Sequence, residues 1–81
     1  MVSVNISLNT IDKVKEFVRI ISSFDGDFDM NSGRYTVDAK SVLGIFSLDL
    51  SRPIELVIYK EDEAPKVIEQ LNPFILPEAA P

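Results

Sequence analysis

The 81-residue chain contains no cysteine and no histidine. The first absence excludes a disulfide framework and any thiolate metal centre. The second removes the commonest metal ligand, the usual proton shuttle near neutral pH, and any phosphohistidine chemistry. Clustered positive charge is also missing. Eight Lys and Arg face 13 Asp and Glu, for a net charge of -5. The basic residues are scattered singly, so nothing resembles a footprint for neutralising a phosphate backbone. No apolar run approaches the ~18 residues of a membrane span, and no basic start followed by an apolar core resembles a signal peptide. These absences point to a cytoplasmic protein that binds neither nucleic acid nor membrane.

The composition, 46% hydrophobic and 26% charged, is that of one small globular domain with a single core. The opening MVSVNISL alternates strictly. Val2, Val4, Ile6 and Leu8 share one face of a strand, and Ser3, Asn5 and Ser7 share the other. Asn9 and Thr10 offer N-cap oxygens for an amphipathic helix whose apolar stripe is Ile11, Val14, Phe17, Val18, Ile21 and Phe24, with Gly26 just beyond. A hairpin follows. Phe28 and Met30 precede a turn at Asn31-Ser32-Gly33, and Tyr35 and Val37 continue the apolar face.

Ser41 then caps a short helix, and RPIELVIYK returns to strand with Ile54, Leu56 and Ile58 inward and Val57 and Tyr59 on the opposite face. The last helix carries Val67, Ile68 and Leu71. Asp62 is its expected cap, and Pro65 is tolerable only in its first turn. The order β-α-β-β-α-β-α places the chain in the α+β class. The domain is read as residues 1–72, followed by a Pro-rich tail at 73–81 whose Phe74, Ile75 and Leu76 fold back onto it. No internal repeat or low-complexity run is visible.

The segment VDAKSVLGIFSLDL holds more apolar surface than one core face needs. On a helix starting after Ser41, Val42, Ile45 and Leu48 fall on one side, while Leu43 and Phe46 share another. The surplus is either covered from within, for example by the Phe74-Ile75-Leu76 tail, or left exposed as a docking patch. Asp27, Asp29 and Asp38 alternate on strands without calcium-loop spacing, so they read as a solvated face and not as a metal site. No cofactor is expected.

The stretch DAKSVLGIFSL resembles the regulatory-serine segment of the histidine-containing phosphocarrier (HPr) family of the bacterial sugar phosphotransferase system. The element order agrees up to about Leu71, and Phe24 falls on the family's aromatic at the end of helix one. The resemblance implies an open-faced β-sandwich: a four-stranded antiparallel sheet in the order 1-4-2-3 with three helices on one face. The family's catalytic motif, His-Ala-Arg-Pro, corresponds here to Thr10, Ile11, Asp12 and Lys13. A hydroxyl stands in place of the phosphoacceptor imidazole, and a carboxylate in place of the phosphate-binding guanidinium.

The resemblance therefore implies a catalytically inactive, non-enzymatic relative serving regulation. Ser41 would be a phosphorylation site, and Leu43, Phe46 and Val42 would meet a protein partner, either a serine kinase or a transcriptional or metabolic regulator. The alternative is a structural or protein-binding domain that kept the fold and lost both phosphorylation chemistries.

Overall fold

Residues 1–77 are described by a computed structural model. Residues 78–81, the end of the tail read above, lie outside the described residues. The elements are β1 (Val2–Ile6), α1 (Ile11–Ile21), β2 (Phe28–Ser32), β3 (Tyr35–Asp38), α2 (Val42–Phe46), β4 (Ile54–Ile58) and α3 (Ala64–Gln70). The strands form one antiparallel sheet in the order β1-β4-β2-β3, and the three helices pack on one face of it. This is the open-faced α+β sandwich that the resemblance implies.

Alternation in β4 sets the core. Ile54, Leu56 and Ile58 are fully buried. Register places each beside another apolar residue, Ile6 against Ile54, Met30 against Leu56 and Phe28 against Ile58. Val14, Phe17 and Ile21 of α1, Ile45 of α2 and Val67 of α3 close over them. No polar or charged residue is buried among the described residues, so the core is apolar throughout.

Four local expectations need correction. Ile11 is exposed and Val18 only half buried, whereas Ile20, outside the expected stripe, is buried. At about 100° per residue, Ile11 and Val18 lie on one shoulder of the buried arc, turned toward solvent. α1 also ends at Ile21 and not at Phe24, because the Ser23 hydroxyl and amide both donate to the Ile20 carbonyl and tighten the last turn. The hairpin turn is Gly33-Arg34. Asn31 and Ser32 belong to β2, and Gly33 has φ 59°, as the first position of a two-residue turn requires. With the hairpin so placed, Tyr35, expected on its apolar face, is exposed at the hairpin tip on the edge strand.

The start of α3 is the fourth correction. Asp62 does not cap it: residues 61–63 form a 3-10 turn, and Pro65 occupies the first turn of the helix proper. The Glu63 carboxylate turns away from the helix to accept the amides of Asp25 and Gly26, at 3.3 and 2.8 Å. It thereby ties α3 to the loop after α1. A methyl group at Gly26 would lie 2.5 Å from Glu63 Oε1 and 2.8 Å from Lys60 Cβ. Gly26→Ala is therefore expected to cost about 1 to 3 kcal/mol through overpacking, measured by urea unfolding. A neutral result would mean that Glu63 swings out freely and that the tie is dispensable.

Beyond α3 the chain returns to the sheet. Asn72–Phe74 form a 3-10 turn, Phe74 is buried, and its ring meets Phe17 edge-on at 6.4 Å. Ile75 then bridges Ile6, Ser7 N–H donates to the Phe74 carbonyl, and Leu76 N–H to the Asn5 carbonyl. The segment thus covers part of the open edge of β1.

Candidate functional site

Two places carry the residues singled out by sequence: the start of α1 and the whole of α2. At the first, Thr10 is an N-cap. Its hydroxyl accepts the Lys13 amide at 3.2 Å, while Lys13 Nζ donates to Asn9 Oδ1 at 3.0 Å. Asp12 is exposed in the first turn, where a carboxylate suits the helix dipole. These side chains make a helix start, with local physical reasons for each. Ile11, exposed between them, is a residue that the stripe reading assigned to the core.

At the second place, Ser41 caps α2 by accepting the Gly44 amide at 3.0 Å. Ile45 is fully buried and Leu48 nearly so, which fixes the rotation of the short helix. Moving around the helix away from them, exposure rises through Val42 at 37% and Phe46 at 39% to Leu43 at 84%. Val42 thus leaves the core side assigned to it by three-residue spacing. It pairs at i, i+4 with Phe46, and Leu43 stands beyond both.

The Phe74–Leu76 segment does not cover this face. It runs along β1, at one edge of the sheet, whereas α2 packs on β3 at the other. Gly44 explains the closeness of α2 to β3: a Cβ there would come within 3.3 Å of Val37 Cβ and 3.1 Å of Ser41 Oγ.

Lys40, next to Ser41 in sequence, directs its charge elsewhere. Its Nζ donates to the Phe24 carbonyl at 2.7 Å and lies over the Phe28 ring, 5.7 Å from the centroid. Its backbone N–H donates to Asp38 Oδ1 at 2.9 Å. The cation therefore stitches β2 to the end of α1 and does not reach over the Ser41 hydroxyl.

The helix-free face of the sheet carries the acidic residues. Asp29 and Asp38 are register partners on β2 and β3, a like-charge pair that destabilises unless screened. The Tyr59 hydroxyl donates to Asp29 Oδ2 at 2.8 Å, and this bond, which ties the phenol proton down, raises the Tyr59 pKa above its ordinary value. Because Asp29 is also the register partner of Val57, the phenol is drawn diagonally beside Val57, which is buried although no helix covers it. Asn31 donates to Glu55 and accepts from Thr36, completing a polar row. Among the described residues no group of three carboxylates is placed to hold a metal ion.

No protein-family model matches the sequence, and no curated protein matches it. Solved structures do. HPr-C-His from Thermoanaerobacter tengcongensis superposes with a TM-score of 0.72 at 28% identity, over 88% of this chain and 90% of that one. The phosphocarrier protein HPr from Bacillus anthracis superposes with a TM-score of 0.69 at 24% identity, over 93% and 94%. The second likeness is one of fold. Sheet order and helix placement agree with these neighbours along almost the whole chain: it is similar to the HPr phosphocarriers and has the HPr-like fold.

Proposed function

We propose that this protein transfers no phosphoryl group, is not an enzyme, and serves as a regulatory or interaction module docking a protein partner through α2. One observation carries the reading. The helix that starts at Ser41 presents Val42, Phe46 and Leu43 with exposure increasing to 84% at Leu43, although a five-residue helix needs only Ile45 for its core contact. Large exposed apolar side chains grouped on one short element are the usual mark of a contact surface. The start of α1 adds support, since a capping Thr10 and an acidic Asp12 replace the groups that the family's chemistry uses.

Ser41 is the proposed switch. A phosphate there would add about -1.5 to -2 charges beside the apolar face and change what can dock. Lys40 is engaged with Phe24 and Phe28, so the added charge would remain uncompensated by that residue and readable by a basic partner. The same engagement favours a second reading, in which Ser41 is a cap alone and the module docks without modification. The partner would be a serine kinase or a regulator in the first case, and a binding protein indifferent to Ser41 in the second.

The test uses one double variant and one charge mimic. Leu43→Ser with Phe46→Ser is expected to leave the thermal midpoint within a few degrees, because neither side chain belongs to the buried cluster, while abolishing binding to the partner. Ser41→Asp is expected to change that binding if the switch operates, and to leave it unaltered under the second reading. Full binding by the double variant would remove the docking surface altogether.

A further inference from the structure

A third region, which the sequence did not single out, lies where the β2–β3 turn faces the loop between α2 and β4. A surface pocket of about 370 Å³ opens there, lined by Ser32, Arg34, Tyr35, Ser47, Asp49 and Arg52. That volume falls at the small end of ligand pockets. The chain holds three arginines in a protein of net charge -5, and two of them meet here. The third, Arg19, is paired with Glu16 on α1. Among the described residues Arg34 forms no salt bridge, and Arg52 has only Asp49, at 3.6 Å, with its own side chain 80% exposed.

Asp49 is the carboxylate within the pocket that would oppose an anion, and its oxygens are already occupied. Its Oδ1 accepts the Ser51 hydroxyl at 2.6 Å and the Ser51 amide at 3.1 Å, while Oδ2 faces Arg52. The Ser51 bonds foremost hold the Asp49 carboxyl below its usual range, so the group is a settled anion fastened to its own loop. The guanidinium of Arg34, carried on a turn made possible by Gly33, has no such commitment among the described residues. Ser32, the exposed Tyr35 ring and Ser47 complete the lining, the Ser47 hydroxyl being committed as donor to the Gly44 carbonyl at 2.6 Å. Meanwhile Asp27, Asp29, Asp38 and Tyr59 line a different pocket, so charge is segregated over the surface.

We propose that the Arg34–Arg52 pocket binds a small ligand carrying two or more anionic groups, phosphoryl or carboxylate. Both oxyanions match the forked donor geometry of a guanidinium, and two guanidinia facing one pocket favour a ligand that offers more than one such group. The small volume and the negative charge of the remaining surface disfavour a nucleic acid. The pocket adjoins the α2 docking face through Ser47, the C-cap of that helix, but contains none of Val42, Leu43 and Phe46 and does not depend on them.

The experiment titrates the isotope-labelled full chain with sodium pyrophosphate and, in parallel, with citrate, against sodium chloride at matched ionic strength. Amide shifts at Gly33, Arg34, Tyr35 and Ser47 are expected to saturate with at least one anion. Saturation by pyrophosphate alone assigns a phosphoryl ligand; saturation by citrate alone assigns a carboxylate one. Arg34→Ala, at an exposed turn, is expected to weaken the response about ten-fold or more, as loss of a charged hydrogen bond does, with the thermal midpoint unchanged. Arg52→Ala is expected to weaken it as well. Shifts that grow without saturating, that spread equally to Lys15 and Lys66, or that persist in Arg34→Ala would overturn the assignment.

Discussion

Incubated with labelled phosphoenolpyruvate and the general phosphotransferase enzyme, the protein is expected to remain unlabelled. A chain without histidine offers no imidazole to accept the group. The hydroxyl at Thr10 is a poor nucleophile at neutral pH without an adjacent base, and it is held as acceptor for the Lys13 amide. Asp12 then places an exposed carboxylate in the same turn, where an incoming phosphoryl group would bring about -1.5 to -2 charges of its own. Each feature acts in the same direction. Stoichiometric label on Thr10 or Asp12, located by mass spectrometry, would show that this helix start does chemistry after all.

Phe17→Ala is expected to cost about 3 to 5 kcal/mol, a large share of the roughly 5 to 15 kcal/mol that holds a small domain together. Phe17 is fully buried at the centre of α1, and its ring packs edge-on against Phe74 from the returning C-terminal segment. Truncation would empty a large volume and also release that segment from the β1 edge. Val18→Ala, one residue away but only half buried, is expected to cost about 1 kcal/mol, in the range of ordinary substitutions. Urea unfolding of the two variants separates them. Equal losses would mean that Phe74 collapses into the vacated space and that the register drawn for α1 is incorrect.

Much of the fold was legible because its signals are local and repeated. Strict alternation in β1, the inward Ile54, Leu56 and Ile58 of β4, and a capping residue before each of the first two helices fix elements without reference to the rest of the chain, while Gly33 marked the hairpin even though its turn falls at Gly33-Arg34 and not at Asn31-Ser32-Gly33. What depended on tertiary context was less visible. Ile11 and Val18 fit a helical stripe by spacing, but sequence does not show where the centre of the buried arc falls. In α2 the same uncertainty exchanged Val42 for a shoulder position, since the contact with β3 through Gly44 sets its rotation. Asp62 looked like a cap because sequence could not show Glu63 reaching back across 37 residues to Gly26.

The candidate site divides in the same way. Ser41 as cap was readable from the residues that follow it. The destination of Lys40 was not, because its partners, the Phe24 carbonyl and the Phe28 ring, are brought near only by the sheet. The direction taken by Phe74, Ile75 and Leu76 was equally hidden: an apolar run after a helix can fold onto any exposed apolar neighbour, and here pairing with the free edge of β1 decided the matter. Arg34 and Arg52, 18 positions apart in the sequence, gave no signal until the hairpin and the loop after α2 placed them at one pocket.

The exposed face of α2 is the proposed contact with a partner. A photo-crosslinking amino acid placed at position 43, in the full chain and in cells of the source organism, tests it most directly. Irradiation is expected to give a discrete adduct with one protein from position 43, lost when Phe46→Ser is added, and none from the same probe at Lys66 on α3. No adduct from position 43, or the same adducts from both positions, would rule out α2 as the contact surface.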